Sequence, residues 1–206
     1  MSKKLLLTMA IDHYDRVQAL FDGTITPEGI DLICISNTGA ETFWRMLRYK
    51  EFDMCEMSLS SYVATLFMED PGFIAIPVFP SRLMRHSHIF INKNAGIKEP
   101  KDLIGKRVGV PEWQMTATVW IRGLLQDDYG VPIDSVEYFT GGAWTPGRVE
   151  KIPIELPSNI RISAIPMDKN LSQMLEDGEL DAIYFAGTLP IYRTGKNVAR
   201  LFENWA

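Results

Sequence analysis

Short apolar segments alternate with segments of helical periodicity in the N-terminal part of the chain. The apolar segments predict strands, whereas the helical segments repeat their apolar side chains every three or four positions. The predicted strands are Leu5–Met9, Ile30–Ile35 and Phe52–Met57. The predicted helices are Asp12–Phe21, Thr38–Tyr49 and Ser58–Phe67. Because strands that alternate with crossover helices form mostly parallel sheets, this pattern predicts an α/β lobe.

The alternation continues through the rest of the chain. The further predicted strands are Ile74–Val78, Ser87–Asn92, Arg107–Val110, Ser135–Thr140, Ile160–Ala164 and Ala182–Phe185. The further predicted helices are Met115–Leu125 and Leu171–Asp177. We therefore predict a first α/β lobe at residues 1–92, a second at 93–188, and the start of a return into the first lobe at 189–206. On this interpretation the first lobe lacks its C-terminal elements, which could leave an enzyme inactive.

The composition is that of an ordinary globular protein and narrows the choice of partners. Of the 206 residues, 46% are hydrophobic and 23% are charged, and the formal net charge is −5. Because nucleic-acid binding needs a basic surface, we expect no nucleic-acid partner. No apolar run is long enough to cross a membrane, and the N-terminal one is too short for a secretory signal. We therefore expect a cytoplasmic protein without membrane contact.

Polar residues follow two predicted strands of the first lobe. In open parallel sheets, ligands bind at the carboxyl ends of the strands. After the first strand, His13 could donate a proton, although it could also be a solvated residue at a helix start. At the end of the third strand and just after it come Glu56, Ser58 and Ser60. Free backbone N–H groups and hydroxyls at that helix start could bind a carboxylate, and plain N-capping is the alternative.

Two arginines and a tryptophan-containing loop are further candidates for substrate binding. Arg82 and Arg85 could hold a carboxylate through paired N–H donors, with a solvated basic loop as the alternative. The first strand of the second lobe is followed by Trp113, Gln114 and Thr116. Trp113 could stack on an aromatic ring while the other two donate hydrogen bonds, and core packing of the tryptophan is the alternative.

Two histidines raise the question of a metal. His86 and His88 lie two positions apart on a predicted strand, so both would project to the same side. No third ligand is evident in the sequence, and we predict no metal site. The chain also has no GxGxxG, P-loop, GxSxG or HExxH motif. Nucleotide-binding, phosphoryl-transfer and serine-hydrolase functions therefore find no support.

Two segments share a pattern of helix, glycine turn and buried strand. They are Ile97–Val110 and Met174–Phe185. The pair resembles the second lobe of type II periplasmic-binding-protein-like folds. In that class two α/β lobes have a ligand cleft between them. The resemblance thus implies this fold class and a small anionic ligand.

Four further segments resemble the 4,5-dihydroxyphthalate decarboxylase family. They are Ala10–Arg16, Glu56–Tyr62, Ile76–Arg82 with Arg85 and His86, and Gly109–Ala117. The resemblance implies a carboxy-lyase that converts 4,5-dihydroxyphthalate to protocatechuate without oxidation and without a cofactor. A ring hydroxyl para to the leaving carboxylate would push electron density to the ipso carbon. A side chain would protonate that carbon as CO₂ departs.

The same resemblance implies roles for individual residues. Arg82 and Arg85 would hold the carboxylates, Trp113 would stack on the ring, and His13 or His86 would supply the proton. The expected partner is a small aromatic carboxylate, and a homo-oligomer stays open. The alternative function is a non-catalytic solute-binding protein for an aromatic or other small carboxylate. A pyrimidine-precursor or thiamine-related enzyme of the same superfamily has no supporting motif.

Overall fold

The computed structural model describes residues 3–152 and 154–204. The chain divides into two compact units, one up to Arg82 and the other from Leu83 onward. The first unit contains a three-stranded sheet and the second a six-stranded sheet. None of the helices in the described part of the chain is long and apolar enough to cross a lipid bilayer.

The first unit is built on a small parallel sheet. Its strands are β1 (Leu5–Ile11), β2 (Ile30–Ser36) and β3 (Met54–Cys55), in the order β2-β1-β3. Its helices are α1 (Gln18–Phe21), α2 (Gly39–Tyr49) and α3 (Leu59–Thr65), and a 3₁₀ turn at Asp15–Val17 precedes α1. Both β2 and β3 run parallel to β1. The carboxyl ends of all three strands therefore lie at the same edge.

Few side chains form the core of the first unit. Ala10, Met46 and Phe52 are buried together. Thr38 caps the start of α2, because its hydroxyl accepts the Glu41 N–H and so satisfies one free N–H of the first turn. Because β1 and β3 are paired in parallel, the residues that follow them lie side by side.

The second unit is built on a mixed sheet. Its strands are β4 (Ile89–Asn92), β5 (Arg107–Val110), β6 (Glu137–Thr140), β7 (Arg161–Ala164), β8 (Ala182–Tyr184) and β9 (Val198–Arg200). Its helices are α4 (Thr116–Tyr129), α5 (Leu171–Glu176) and α6 (Ile191–Thr194), with 3₁₀ turns at His86–His88, Pro100–Leu103 and Ile133–Ser135. The strand order is β7-β6-β5-β8-β4-β9. Strand β4 runs antiparallel to both neighbours, and the other pairs are parallel.

The six-stranded sheet carries a hydrophobic core on each face. Side chains alternate along β8, so Tyr184 packs with Ile121 of α4 whereas Ile183 packs with Leu171 of α5. On β5, Gly109 allows the second core to approach closely. A Cβ atom at that position would lie 3.0 Å from Leu171 and 3.1 Å from Ile183. The glycine therefore lets α5 pack directly on the sheet.

Most of the predicted strands and helices are present, and the prediction of one strand is wrong. The predicted strand Arg107–Val110 matches β5. The predicted strand Ile74–Val78 is absent, because Ile74, Ile76 and Val78 are 94%, 63% and 62% exposed and pair with no strand among the described residues. An apolar segment forms a strand only where a neighbouring strand and a buried face are available.

The division between the units differs from the predicted boundary at residues 92 and 93. Strand β4 pairs with β8 and β9, so residues 89–92 belong to the sheet of the second unit. Strand β9 also lies with this unit, since it forms an edge of its sheet. The segment predicted as the start of a return into the first lobe, residues 189–206, contributes α6 and β9 to the second unit in its described part, residues 189–204.

Candidate functional site

Two acidic residues meet at the carboxyl ends of β1 and β3. The strands are paired at Ala10 and Cys55, so Asp12 and Glu56 follow them as neighbours. Glu56 is only 9% exposed. One of its carboxyl oxygens accepts the Asp12 backbone N–H at 2.7 Å, and the other accepts the Tyr14 hydroxyl at 2.9 Å. Both oxygens of the buried carboxyl group are therefore fixed in direction.

The net effect of its surroundings is to raise the pKa of Glu56. Burial raises the pKa of Glu56 and the charge of Asp12 adds to this, although the hydrogen bonds from Asp12 and Tyr14 and the charge of Arg16 act in the opposite direction. Burial, together with the charge of Glu56, raises the pKa of Tyr14 to about 12. Tyr14 thus stays a hydrogen-bond donor, and Glu56 retains its proton to a higher pH than an ordinary glutamate.

Arg16 connects the loop after β1 with the loop that ends the first unit. Its guanidinium lies 4.2 Å from the centre of the Tyr14 ring, and its Nε donates to the Pro80 carbonyl. Its Nη1 also lies 3.0 Å from a carboxyl oxygen of Asp15. A cation is therefore positioned beside the Glu56–Tyr14 pair, where it could attract an anionic group.

The other site residues that the sequence predicts in the first unit are His13, Ser58, Ser60 and Arg82. His13 is exposed, and its ring lies 4.8 Å from the Phe21 ring in an edge-on arrangement. Ser58 precedes α3, and its hydroxyl oxygen lies 3.4 Å from that of Ser60. Arg82 is exposed, with its guanidinium 5.2 Å from the Phe79 ring. Their predicted roles stay predictions.

A buried ionic cluster follows β5 in the second unit. Glu112 is 1% exposed and accepts hydrogen bonds from Gln114 at 2.6 Å and from Nε of Arg148 at 2.8 Å. The ammonium group of Lys151 also donates to Glu112. Burial lowers the pKa of Lys151, while the charge of Glu112 and its hydrogen bond oppose this. Glu112 therefore serves as the shared counter-ion of two cations.

Trp113 is packed from one side by an arginine. The guanidinium of Arg122 lies 3.7 Å from the centre of the Trp113 ring, and Nη2 donates to the Trp113 carbonyl at 2.7 Å. Arg122 is 5% exposed, and burial lowers its pKa to about 10. The Trp113 ring also meets Tyr138 edge-on at 5.0 Å. Trp113 thus has the core contacts that were the alternative to substrate stacking, and Thr116 begins α4.

A cavity of about 230 Å³ lies next to Trp113. Glu150 lines it, and one carboxyl oxygen of Glu150 accepts the Trp113 backbone N–H at 2.7 Å. The other oxygen, Oε2, is buried and has no hydrogen-bond partner among the described residues. Burial raises the pKa of Glu150, and the charge of Glu112 adds to this.

The segment with the predicted acid His86 is a 3₁₀ turn rather than a strand. The His86 ring packs edge-on against Tyr129 at 6.1 Å and Phe202 at 5.0 Å. Tyr129 is the last residue of α4, whose 14 residues span about 20 Å at about 1.5 Å each. His86 therefore contacts the opposite end of that helix from Trp113.

His88 and Arg85 form a second contact in this turn. His88 is 9% exposed, and its Nδ1 lies 3.4 Å from a guanidinium nitrogen of Arg85. Burial and the charges of Arg85 and Arg200 lower the pKa of His88 to about 4, so the ring is neutral near pH 7. Within residues 3–152 and 154–204, no three His, Cys, Asp or Glu side chains form a metal-binding group.

Several residues of these sites were missed in the sequence analysis. Tyr14 and Arg16 lie in the loop after β1 that the strand-end rule selected, but only His13 was given a role there. Arg122 carries no such signal, because it lies within α4. Arg148 and Lys151 lie in a loop without periodicity, 36 and 39 positions from the Glu112 that they contact.

Comparison with known proteins identifies close relatives by sequence and a distant one by structure. No protein-family profile matches the chain. The chain is 41% identical over 180 residues to a 4,5-dihydroxyphthalate decarboxylase of Comamonas testosteroni and 42% identical over 180 residues to one of Pseudomonas putida. The alignments cover 87% of this chain, 54% of the first relative and 70% of the second. The chain thus spans only about half the length of the first.

Among solved structures, the periplasmic aliphatic sulphonate binding protein of Escherichia coli is similar with a TM-score of 0.55 and 14% identity. The similarity covers 96% of this chain and 60% of that protein. At this identity the likeness concerns the fold alone. It confirms the predicted α/β fold of the periplasmic-binding-protein-like class.

Proposed function

The chain belongs to the 4,5-dihydroxyphthalate decarboxylase family, and on that premise we propose that it catalyses the non-oxidative decarboxylation of an aromatic dicarboxylate. The reaction converts 4,5-dihydroxyphthalate into protocatechuate and CO₂. The observation that carries the proposal is the 42% identity to a relative of that name, 70% of which is covered. The substrate partner is accordingly a small aromatic carboxylate.

Glu56 is the side chain that we propose as the proton donor. Its raised pKa and its fixed carboxyl group are features that a general acid needs. The proton moves from Glu56 to the ipso carbon, and the hydroxyl para to that carbon supplies electron density. The bond to the carboxylate then breaks, its electron pair restores the aromatic ring, and CO₂ leaves. Solvent returns a proton to Glu56.

Arg16 is a proposed carboxylate contact beside this acid. Its charge already acts on Glu56, and a guanidinium can donate two N–H groups to one carboxylate. Arg82 and Arg85 keep the carboxylate-binding roles predicted from the sequence, and Trp113 keeps the predicted contact with the ring. These roles are separable by mutation, because loss of a binding cation raises KM while loss of the acid lowers kcat.

The predicted acids His13 and His86 are the alternatives to Glu56. His13 is exposed, so it would have to work without the fixed surroundings that Glu56 has. His86 packs between two aromatic rings. A comparison of Glu56→Gln, His13→Gln and His86→Gln therefore distinguishes three defined sources of the proton.

The test is CO₂ release from 4,5-dihydroxyphthalate by the purified protein, with and without EDTA. Removal of a general acid reduces the rate by about 100- to 10,000-fold, which is the loss expected for Glu56→Gln. The exposed Glu69→Gln is a matched control for the loss of one glutamate charge. If Glu56→Gln retains the rate and His13→Gln loses it, the acid is His13. Saturable binding of the substrate without CO₂ release would instead indicate the solute-binding alternative.

A further inference from the structure

Arg122 is a buried cation that the proposed reaction leaves without a role. It lies within α4, is 5% exposed, and burial lowers its pKa to about 10, so it stays charged near pH 7. Its Nη1 is buried and has no hydrogen-bond partner in the part of the chain that the structure describes. A buried cation with an unused N–H group costs stability, and apolar residues of similar volume often pack as well or better. Core packing alone therefore does not explain an arginine at this position.

The contacts that Arg122 makes converge on Trp113. Its guanidinium lies 3.7 Å from the centre of the Trp113 ring, and its Nη2 donates to the Trp113 carbonyl at 2.7 Å. A guanidinium is planar, so it can stack on a ring while its N–H groups donate hydrogen bonds. The attraction between a cation and an aromatic ring is strongest for tryptophan and increases where water is excluded. One side chain thus restrains both the ring and the backbone of Trp113.

Two further groups hold Trp113 in place. Oε1 of Glu150 accepts the Trp113 backbone N–H at 2.7 Å, so both the N–H and the C=O of this residue are bonded to side chains of other segments. The ring of Tyr138 meets the indole edge-on at 5.0 Å. Trp113 lies between β5 and α4, in a connecting segment of the kind that is ordinarily more mobile than the sheet. Contacts from α4, from β6 and from the loop between β6 and β7 therefore fix it.

Trp113 is held in this way without being sealed into the core. The residue is half-buried and lines the cavity of about 230 Å³. A side chain that is ordered before binding loses less conformational entropy when a ligand packs against it. Precise binding of a flat ring therefore needs neighbours that lock the orientation of the indole.

We propose that Arg122 is a positioning residue, which fixes the plane of the Trp113 ring for packing against the ring of the substrate. The inference rests on the proposed function, because that function supplies the contact between Trp113 and the substrate. What it adds is a buried arginine that touches no substrate and acts through the indole.

The test is the KM for 4,5-dihydroxyphthalate in four proteins: the unmodified chain, Arg122→Met, Trp113→Leu and the double variant. We expect Arg122→Met to raise KM about tenfold and to leave kcat within about twofold, because neither residue handles the proton. In the Trp113→Leu background the same change should raise KM less than about twofold, since Arg122 acts through the indole. Equal effects in both backgrounds would overturn the proposal. Arg193→Met, at an exposed position of α6, is the matched control.

Fluorine NMR of the protein labelled with 5-fluorotryptophan shows whether the ring itself is released. The chain has five tryptophans, and Trp113→Phe identifies the Trp113 signal. In Arg122→Met this signal should broaden and become sensitive to temperature, while the other signals stay as they are. An unchanged Trp113 signal would contradict the positioning role. A changed signal together with an unchanged KM would also overturn it, because Arg122 would then be a structural contact only.

The outcomes separate this inference from the proposed function. If calorimetry shows binding of 4,5-dihydroxyphthalate without CO₂ release, the same four proteins are compared by their dissociation constants. Coupling between Arg122 and Trp113 in that comparison would support the inference and refute the decarboxylase activity. CO₂ release with equal effects in both backgrounds would do the reverse, and absence of both binding and turnover would overturn both.

A second variant covers the case in which Arg122→Met does not fold, as judged by far-UV circular dichroism. Arg122→Lys keeps the charge but not the planar group that stacks on the indole. We expect it to raise KM by at least about threefold, and only in proteins that retain Trp113. A KM within about twofold of that of the unmodified chain would overturn the proposal.

Discussion

Replacement of Glu112 by glutamine should destabilise the protein strongly. Glutamine keeps the shape of the side chain but removes the charge that Arg148 and Lys151 share. The Lys151 side chain is 8% exposed and Glu112 is 1% exposed, so the variant would contain a buried ammonium group without this counter-ion. Removal of one partner from a buried ion pair costs about 3–5 kcal/mol. Because Arg148 is 30% exposed and partly screened by solvent, we expect the lower end of that range, about 3 kcal/mol.

The stability loss caused by Glu112→Gln should become smaller as the pH rises. Burial lowers the pKa of Lys151, and Glu112 opposes this, so Glu112→Gln lowers the pKa further. In the unfolded chain Lys151 holds its proton up to its ordinary pKa of 10.5. Between the two values the unfolded state binds more protons than the folded state, so stability rises with pH. The deficit of the variant should therefore shrink as the pH is raised from neutral toward 10.

Urea unfolding followed by far-UV circular dichroism, near pH 7 and near pH 9.5, measures both effects. A loss of about 3 kcal/mol corresponds to a fall in Tm of about 6–12 °C for a domain of this size. Glu155→Gln is the control, since it removes an exposed glutamate from the same loop region. A loss below about 1 kcal/mol near pH 7 would contradict the range given for buried pairs. A deficit that grows with pH would refute the assignment to Lys151.

Three further predictions concern the sheet of the second unit. Asp181→Asn should lower the free energy of unfolding by about 1–2 kcal/mol near pH 7 and leave it unchanged in strong acid. Burial raises the pKa of Asp181, but the stronger combined effect of Arg107 lowers it, so the stabilisation is present above the unfolded-state pKa and is lost as the pH falls through the folded-state pKa. Unfolding of both proteins at a series of acidic pH values checks this. Gly109→Ala should cost about 1–3 kcal/mol by overpacking against Leu171, and an unchanged urea midpoint would contradict it. Asn92→Ala should cost about 1–3 kcal/mol, because its buried amide donates to the Leu175 carbonyl at 2.6 Å, and the same unfolding assay measures this.

Local signals explain why β5 could be predicted to the residue. The Asp102 carboxylate accepts the backbone N–H groups of Lys98 and Glu99, so the 3₁₀ turn before the strand is capped by its own sequence. Gly105 then adopts a φ of +77°, which favours glycine. All the information for this segment lies within about ten residues of chain. Elements of this kind can be derived from sequence alone.

The missing strand at Ile74–Val78 shows where the same reasoning fails. The segment is as apolar as β1, but a strand needs a partner for its backbone N–H and C=O groups. That partner is a property of the folded chain and not of the segment. The same applies to the short β3, Met54–Cys55, within the longer predicted strand Phe52–Met57.

The candidate sites, too, could be predicted from the sequence only in part. The strand-end rule predicted Glu56 and Trp113, because both directly follow a strand or its turn. It did not predict their partners, since Tyr14 reaches Glu56 from 42 positions away and Glu150 reaches Trp113 from 37. Contacts at such separations depend on how the loops fold over the sheet edge. Sequence therefore locates the loops, and only the structure shows which side chains meet in them.

The two buried glutamates at strand ends illustrate why these partners decide function. Glu56 and Glu112 each lie within two residues of the end of a parallel strand, and both are at most 9% exposed. Glu112 receives its hydrogen bonds from an amide and two cations. Glu56 receives them from a backbone N–H and a tyrosine whose pKa is about 12, and burial and Asp12 raise its own pKa. The surroundings of Glu56 fit the acid role that we propose for it, whereas Glu112 holds two cations in place. This contrast is the physical reason for assigning the acid to the first unit.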